Sequence, residues 1–461
     1  MRLYRDTSSI RISVRRLCEM PQVGDVDELK DASFMALSSP PSTNEAKSFV
    51  DAIVLRIKSK ETRKRARSAE GEKQFTTTVG LILGDLLLAY DQGNRVQDEK
   101  SNNGLSYHST SSNSFSESNV GYIMFKDTVY PLEELGFITI YEGRNARPID
   151  FGEGTKQSFH GGFATRFKPL QPLIDAALKC GLVEGEFHKA FFTLMPKSVV
   201  EVRASKADGA QRGKKIPLPS HPKTEQIIEE VTAINAFLSS FAYDGMVFGG
   251  LRRLFNEGDR VDFDYNLGGR LYCANAQGHI NMKSDARANI LIDGEAVVEI
   301  DINASYLTIL HALKNVPMPN REDIYAIAGL PREVVKRWFT ITMGSTKFLT
   351  RWLRSNLDEM KEAGVAHKPW MTVKAVEKAV LEHFPIMKDW PKQEVRWSNL
   401  MFIESEVIIG TMLELMQTYQ VPSLPVHDCI IVRKSDQDLA MRVLSEQFKD
   451  KVGIEPRLKV K

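Results

Sequence analysis

Short apolar runs bounded by turn residues mark the C-terminal half of the chain. A β-branched run at 297–300 follows Asp293 and Gly294 and leads into Asp301. β-branched residues bounded by a turn signal are typical of a strand. The pattern therefore predicts a buried strand with a carboxylate at its end. The apolar positions that follow predict a helix from about Ala304.

Two further apolar runs flank a pair of polar residues in the segment VPSLPVHDCIIVRK (421–434). His427 and Asp428 stand between the runs. Two strands separated by two polar residues are typical of a β-hairpin. The segment therefore predicts a hairpin with Asp428 at its tip.

The segment PREVVKRWFTITMG (331–344) has the period of a helix. Pro331 suits the first helical position and Gly344 suits a C-terminal cap. Residues four apart share a helix face. Arg332 and Lys336 therefore lie on one face, and the stripe continues through two further residues, Thr340 and Met343.

The N-terminal half contains a pattern similar to a winged helix. Residues 126–136 (KDTVYPLEELG) predict a helix that ends at Gly136, and 137–141 (FITIY) predict a strand. A Gly-rich stretch and a second strand at 163–167 (FATRF) complete the pattern. It predicts DNA contact through 120–170, with the basic residues Arg144, Arg147 and Lys156 reaching phosphates; a protein-binding module is the alternative.

Two polar stretches separate these regions. One is rich in Ser and Asn, and the other is basic and rich in Pro and Gly, which is typical of loops and domain boundaries. We predict an α+β protein with a helical region 1–91, a loop or linker 92–119, a winged-helix-like region 120–203, a linker 204–223 and a C-terminal domain 224–461.

Composition narrows the class only slightly. The chain has 461 residues, a formal net charge of +2 and no global excess of basic residues, so an argument for nucleic-acid binding must be local. Its four cysteines form no C-x-x-C pair, which disfavours structural zinc and disulfides. We see no signal peptide and no membrane span, and therefore expect a cytoplasmic protein without membrane contact.

Asp301 and Asp428 are the candidate metal ligands. Two aspartates on neighbouring strand ends can hold two divalent ions about 4 Å apart, as nucleotidyl transfer requires. Taken singly, an acid after a strand is more often a helix cap, and an acid at a turn is more often solvated. The cationic helix likewise has an ordinary alternative, an amphipathic helix with solvated basic residues.

The order of the motifs adds weight to the pair. GGRLY (268–272), DINASY (301–306), the helix with Arg332 and Lys336, and VHD (426–428) occur in this order. The set resembles the right-hand palm polymerases of family A, which include DNA polymerase I and the bacteriophage single-subunit RNA polymerases. The resemblance implies a palm and fingers with a small thumb in the C-terminal half.

The resemblance also implies roles for individual residues. Asp301 and Asp428, assisted by the Ile302 carbonyl, would bind two Mg²⁺ ions, with Mn²⁺ as a substitute. Nucleotide binding would involve Arg332, Lys336, Tyr306, Thr340, Met343 and Gly344. Primer–template binding would involve Gly269, Arg270, His427 and Glu404; for Glu404 the alternative is an ordinary surface position on its helix.

Tyr306 bears on the substrate. In palm polymerases the residue five after the first aspartate discriminates between sugars, and a bulky ring there would clash with a 2′-hydroxyl. Tyr306 therefore favours deoxynucleotides, although it could be simply a core aromatic. Met343 replaces the usual tyrosine, and Cys429 replaces the usual Glu or Ser.

The function expected is a template-directed DNA polymerase that takes dNTPs and a DNA primer–template. No acidic constellation suggests a proofreading exonuclease, and a winged helix ahead of a palm suggests replication of a plasmid, phage or other mobile element. One alternative is a primase or single-subunit RNA polymerase. Another is a DNA-binding replication initiator with an inactive palm.

Overall fold

The protein consists of two compact units, Met1–Thr193 and Leu194–Lys461. Our computed structural model describes residues 29, 32–61, 63, 65–95, 104–115, 120–143, 147–149, 158–160, 163–191, 195–206, 213–275, 278–345, 347–366, 368, 370–392 and 394–461. Each unit combines helices with at least one sheet. The predicted α+β class is therefore confirmed.

The first unit contains five helices and six strands among its described residues. The helices are α1 (Asn44–Lys60), α2 (Ala69–Arg95), α3 (Tyr122–Glu134), α4 (Gln171–Lys179) and α5 (Phe187–Ala190). The strands are β1 (Ser33–Phe34), β2 (Ser106–His108), β3 (Ile138–Tyr141), β4 (Arg147–Ile149), β5 (Ser158–His160) and β6 (Thr165–Pro169).

Four of these strands form one sheet in the order β1-β2-β6-β3, and β4 pairs with β5 separately. The predicted helix, its end near Gly136 (φ +71°) and the following strand are all present. β3 pairs antiparallel with β6, as a two-stranded wing would. The contacts expected of Arg144, Arg147 and Lys156 fall on side chains outside the described residues, so the wing's role in DNA contact stays a prediction.

The stretch 92–119 departs from the exposed loop that we predicted. α2 continues to Arg95, and β2 lies inside the stretch and pairs with β6. His108 and Phe115 are buried, with ring centroids 4.5 Å apart. The Ser/Asn-rich composition predicted an exposed loop, but the few aromatic residues within it are sufficient to anchor this segment to the core.

The second unit contains eight helices and ten strands among its described residues. The helices are α6 (Lys223–Leu238), α7 (Ser284–Arg287), α8 (Ser305–Leu313), α9 (Arg332–Met343), α10 (Arg354–Glu362), α11 (Val373–His383), α12 (Trp397–Tyr419) and α13 (Gln437–Val452). The strands are β7 (Val200–Arg203), β8 (Lys215–Ile216), β9 (Tyr243–Asp244), β10 (Leu251–Phe255), β11 (Gly268–Cys273), β12 (Leu291–Ile292), β13 (Glu295–Ile302), β14 (Ser423–Val426), β15 (Cys429–Arg433) and β16 (Leu458–Val460).

The main sheet of this unit has the order β14-β15-β13-β12-β9, and β16 also pairs with β13. Alternation along β13 and β15 puts Ile300, Ile302, Ile430 and Val432 on one face, where they are fully buried in the main core. The same alternation puts Glu299 and Asp301 on the opposite face. The sheet therefore presents its acids away from its core.

A second sheet has the order β11-β10-β7-β8. β7 pairs in parallel with β10, so the segment 120–203 that we treated as one region has residues in both units. β8 likewise lies within the stretch 204–223 that we predicted as a linker, and it pairs with β7. Among the described residues, no helix is long and apolar enough to cross a lipid bilayer.

Candidate active site

Two neighbouring antiparallel strands bring Asp301 and Asp428 together. Asp301 lies directly opposite Cys429 in the ladder between β13 and β15. The amide of Ile302 donates to the carbonyl of Asp428 at 3.1 Å, so the Ile302 backbone lies beside the hairpin turn. Both carboxylates and the Cys429 thiol place one ligand atom each within 4.8 Å of the others.

The turn that carries Asp428 is a two-residue connection, with Val426 paired to Cys429. Its first residue, His427, has φ +56°, a left-handed conformation that costs a residue with a Cβ about 1–2 kcal/mol. The rest of the hairpin holds this conformation in place. Strain of this kind is concentrated at functional sites.

The charge state of His427 follows from its surroundings. Partial desolvation of the ring and the positive charges of Arg270 and Arg287 together lower the pKa of His427 to about 4. The ring of Tyr272 lies 6.1 Å away in an edge-to-face arrangement. His427 is therefore a neutral side chain near pH 7, able both to donate and to accept a hydrogen bond.

Excess negative charge surrounds Asp428. Burial raises the pKa of Asp428, and the carboxylates of Glu404 and Asp301 raise it further, against an opposing effect of Arg270. An ionised carboxylate in such a place is stabilised by a cation. The electrostatics of the turn therefore favour binding of positive charge next to Asp428.

Asp301 belongs to a chain of alternating charges on the face of the sheet opposite the main core. Lys461 lies with its Nζ 3.2 Å from Asp301 Oδ2 and 3.3 Å from Glu299 Oε1. Arg287 donates from Nε to Glu299 Oε2 at 2.8 Å and from Nη1 to the Met282 carbonyl at 2.9 Å. These contacts fix the carboxylate of Asp301 from the side away from Asp428.

Arg270 and Glu404 form a buried ion pair beside the hairpin. Arg270 Nε donates to Glu404 Oε1 at 2.9 Å, its Nη2 bonds the same oxygen, and Glu404 is 1% exposed. Burial alone would lower the pKa of Arg270, but the Glu404 carboxylate holds it above its ordinary value. Glu404 is therefore not on an exposed helix face, which excludes the surface alternative stated for it above.

Tyr306 lies on the first turn of α8 beside this pair. The Arg270 guanidinium carbon is 5.5 Å from the Tyr306 ring centroid. Burial raises the pKa of Tyr306, with a further contribution from Glu404 and a smaller one from Asp428. The tyrosine therefore lies within electrostatic range of the Asp428 carboxylate.

The second glycine of the GGRLY segment, Gly269, allows close packing of β11 on a helix. Gly269 has φ +81°, and a Cβ there would lie 3.0 Å from Ser405 Oγ and 3.3 Å from the Phe402 ring. β11 thus approaches α12 closely enough for Arg270 to reach Glu404. The structure brings Gly269, Arg270, Glu404 and His427 together, and their role in primer–template binding stays a prediction.

The two cationic residues of α9 that the sequence analysis singled out, Arg332 and Lys336, are exposed. Arg332 donates to Asp323 Oδ2 at 2.6 Å and to Glu333 Oε1 at 2.7 Å. Lys336 and Thr340 are exposed along the same face, and among the described residues Lys336 makes no ion pair. Three of the predicted nucleotide-binding side chains therefore share one accessible stripe.

Met343 does not share that stripe. It is 3% exposed and belongs to the main core, although its position in the helical repeat is close to that of Arg332. The next residue, Gly344, caps the helix with φ −85° and is exposed. The end of α9 is buried by the elements packed on it, which periodicity within the helix cannot show.

Tyr325 is a neighbour of the site that sequence reasoning missed. Burial raises the pKa of Tyr325, and so do the charges of Asp428 and Asp301, against an opposing effect of Arg332. Its ring lies 5.7 Å from the Arg332 guanidinium carbon and 5.6 Å from the Phe339 ring. It connects the carboxylate pair to α9, but no motif surrounds it in sequence.

Three other contributors were also missed. In the sequence analysis, Cys429 is treated only as a departure from the resembling family, and no role is assigned to Arg287 or Lys461. Cross-strand register would have found Cys429, because the residue after the turn of a hairpin faces the neighbouring strand. The ion pairs of Arg287 and Lys461 depend on the tertiary fold, and no sequence signal reveals them.

The donor set suits a hard divalent cation. Asp301 and Asp428 offer carboxylate oxygens, which are ligands that Mg²⁺ and Mn²⁺ prefer. The Ile302 backbone lies beside them. Cys429 is buried, its thiol donates to the Val426 carbonyl at 2.9 Å, and burial and the neighbouring Asp428 raise its thiol pKa. It therefore remains a thiol, and the carboxylates are the groups fit to hold a metal.

Comparison with known proteins adds little. The sequence matches no protein-family model and no curated protein. Among solved structures it is similar to "POL domain of Pol1 from M. smegmatis complex with DNA primer-template and dNTP". That similarity has 11% identity and a TM-score of 0.28, over 92% of this chain and 67% of the other. A likeness of this size carries no argument about function.

Proposed function

We propose that this chain catalyses metal-dependent nucleotidyl transfer as a template-directed DNA polymerase that uses dNTPs. One observation carries the proposal: Asp301 and Asp428 present carboxylate oxygens within 4.8 Å of each other and of the Cys429 thiol. A pair of this kind, held by a strand and the neighbouring hairpin turn, is the minimum requirement for two-metal phosphoryl transfer.

The surroundings of the pair support this chemistry. A buried arginine–glutamate pair and a neutral histidine lie on the hairpin side, and an exposed cationic helix lies on the side of Tyr325. A nucleic acid and a triphosphate are both anions, so each would meet cations on its own side of the carboxylates. The arrangement suits one acceptor strand and one incoming nucleotide.

Individual residues then have distinct roles. Asp301 and Asp428 would hold Mg²⁺, which when bound lowers the pKa of an attacking 3′-hydroxyl and stabilises the pyrophosphate leaving group. Arg270, positioned by Glu404, directs its remaining N–H groups towards the primer–template backbone. Lys336 and Arg332 attract the triphosphate, and neutral His427 hydrogen-bonds the primer end.

Tyr306 would set the choice of sugar. Its ring is held against the Arg270 guanidinium and is within electrostatic range of Asp428. A rigid ring at this position leaves no room for a 2′-hydroxyl. Replacing the ring by a methyl group in Tyr306→Ala should therefore increase the incorporation of ribonucleotides relative to deoxynucleotides.

The N-terminal unit would provide DNA contact through the helix, strand and hairpin of 120–170, and the whole chain would serve replication of a mobile element, plasmid or phage without proofreading. This part of the proposal depends on the helix–strand order of α3, β3 and β6. Binding of the full chain to duplex, single-stranded and end-containing DNA of the same sequence would test it.

One assay tests the enzymatic proposal. Purified full-length chain is offered a primed template and a bare template with Mg²⁺ or Mn²⁺, and with dNTPs or NTPs in turn. We expect dNTP incorporation on the primed template, and its loss by roughly a thousandfold or more in Asp301→Ala and Asp428→Ala. The matched control, Asp438→Ala on the exposed first turn of α13, should retain activity.

Other outcomes assign the alternatives. Incorporation of NTPs on the bare template would instead indicate a primase or RNA polymerase. If no condition gives incorporation while DNA binding persists, the chain is a DNA-binding initiator with an inactive palm. Activity that is unchanged in both aspartate variants would disprove the two-carboxylate site.

A further inference from the structure

The strand β16 carries a row of cations beside Asp301. The strand and its two flanking residues, RLKVK (457–461), alternate basic and apolar residues. Leu458 and Val460 pack against the main core. By the two-residue period of a strand, Arg457, Lys459 and Lys461 therefore lie on the opposite face, about 7 Å apart from one to the next.

Register places this row next to the candidate metal ligands. Lys459 is the direct cross-strand partner of Asp301, and Lys461 exchanges backbone hydrogen bonds with Glu299. The ladder continues to Arg457, whose carbonyl accepts from the Asn303 amide at 2.8 Å. Residues directly opposite in an antiparallel pair have Cβ atoms about 5 Å apart, so Lys459 is within reach of any group bound at Asp301.

The three cations differ in what they already contact. Lys461 lies between Asp301 and Glu299, and Arg457 donates from Nη1 to the carbonyl of Arg321. Lys459 is exposed, and among the described residues it forms no ion pair. Because Lys461 already faces the carboxylate of Asp301, Lys459 is available for another anion.

The position of the row indicates which anion. β16 pairs with the edge of β13 that faces away from β15, whereas Arg270 and His427 lie on the hairpin side. Through Arg457 and Arg321 the row adjoins the loop that contains Asp323, the partner of Arg332. The row thus lies on the side of Asp301 away from the hairpin and from the residues proposed to hold the primer, and Arg457 contacts the segment that precedes α9.

We propose that Lys459, supported by Lys461, binds the polyphosphate of the incoming nucleoside triphosphate and the pyrophosphate product. The inference rests on the proposed nucleotidyl-transfer function and adds a phosphate-binding strand to it. A lysine ammonium beside a carboxylate-bound cation contacts terminal phosphate oxygens as a point charge with three donors. Lys459 then adds a second cation to the phosphate-binding role proposed for Lys336.

The test measures binding apart from turnover. Calorimetric titration of the full-length chain with dATP and with inorganic triphosphate, in Mg²⁺ and without primer–template, gives the affinity for each. Lys459→Met should weaken both affinities about tenfold, and Lys459→Glu should weaken them more. Lys459→Arg should retain most of the affinity, and Lys451→Met, an exposed lysine on α13, should retain all of it.

Affinity for a primed DNA duplex is measured in parallel and should be unchanged in Lys459→Met. Equal triphosphate affinity in wild type and Lys459→Met, or a loss of DNA affinity alone, would overturn the inference. If the wild type also incorporates dNTPs, the proposed function survives that failure. A wild type that neither binds triphosphate nor incorporates nucleotides removes both proposals.

Discussion

The carboxylate pair and the cationic helix α9 hold their charges in opposite ways. Asp301 is on β13 and Asp428 is in the turn that precedes β15, so the register of these two strands fixes their separation, and each carboxylate has charged neighbours. Arg332 and Lys336 stand on the exposed face of a helix, and Arg332 contacts two exposed or half-buried acids. Backbone pairing fixes the positions of the carboxylates, whereas the cations of α9 are on solvated side chains.

This difference has energetic consequences. Removing one partner of a buried ion pair lowers the stability of the folded protein by several kcal/mol, because the remaining charge is left without water or a counter-ion. An exposed pair is worth about 0–1 kcal/mol. We therefore expect substitutions around the carboxylates to affect folding, and substitutions of the exposed Arg332 and Lys336 on α9 to affect only the proposed nucleotide binding.

The largest effect on stability is expected for Arg270→Met. It leaves the carboxylate of Glu404 buried and unpaired, and should lower the free energy of unfolding by about 3–5 kcal/mol in urea denaturation at pH 7. Adding Glu404→Leu should recover most of that loss, since the apolar pair leaves no unpaired charge. The control Arg332→Met should change stability by at most about 1 kcal/mol. Equal losses in the two arginine variants would refute the contrast.

The two strand ends of the carboxylate site could be predicted from sequence because each is a local pattern. A β-branched run ending in an acid and two runs flanking His427 and Asp428 predict strands. The alternation that separates Asp301 from the core face is visible in the sequence itself. The pairing of β13 with β15 joins segments more than a hundred residues apart, and only the motif order shared with the family A polymerases indicated it.

The remaining parts could not be predicted, for physical reasons. Met343 occupies an exposed position of the helical repeat, yet tertiary packing buries it. The partners Lys461 and Glu404 lie more than a hundred residues away from the residues they contact. Buried aromatic residues within a Ser/Asn-rich stretch, such as Phe115, are too few to alter its composition. Each of these depends on which surfaces meet, and one sequence does not encode that in any local pattern.

The next effect concerns pH and the hairpin that carries Asp428. His279 is fully buried, and its Nε2 lies 2.9 Å from the carbonyl of Pro425 on β14. Burial lowers the pKa of His279 to about 4, with a smaller effect of Arg287. The unfolded chain takes up this proton near pH 6.5, whereas the folded chain stays neutral until about pH 4.

Protonation of His279 therefore favours the unfolded state as pH falls. The contribution of neutral His279 to the free energy of unfolding is fully present above about pH 6.5. It should be lost progressively as the pH falls towards 4, by up to roughly 3 kcal/mol. Thermal or urea unfolding measured between these pH values should give a shallower profile for His279→Gln than for wild type. His383→Gln, exposed on α11, is the control and should follow wild type. Parallel profiles for His279→Gln and wild type would contradict the assignment.

A smaller effect is expected on α9. Lys336→Met removes an exposed ammonium and should leave the free energy of unfolding within about 0.5 kcal/mol of wild type. The KM for dNTP should rise about tenfold with little change in kcat, because the charge acts on binding of the triphosphate. Lys378→Met, on the exposed face of α11, should change neither quantity. A loss of stability comparable to that of Arg270→Met would place α9 in the same class as the carboxylate region.

The smallest effect tests whether the ion pair with Asp323 weakens the binding of phosphate by Arg332. Asp323 accepts from Arg332 at 2.6 Å through Oδ2 and from the Tyr325 amide at 3.0 Å through Oδ1. Asp323→Asn keeps an oxygen for the amide but removes the charge, which frees the guanidinium for phosphate. Because the exposed pair is worth at most about 1 kcal/mol, the KM for dNTP should fall up to about fivefold. The fall should shrink in high salt, since screening weakens the ion pair in the wild type as well. An increase in KM would show instead that Asp323 orients Arg332 towards the nucleotide, and the two regions would then share the same kind of preorganised charge.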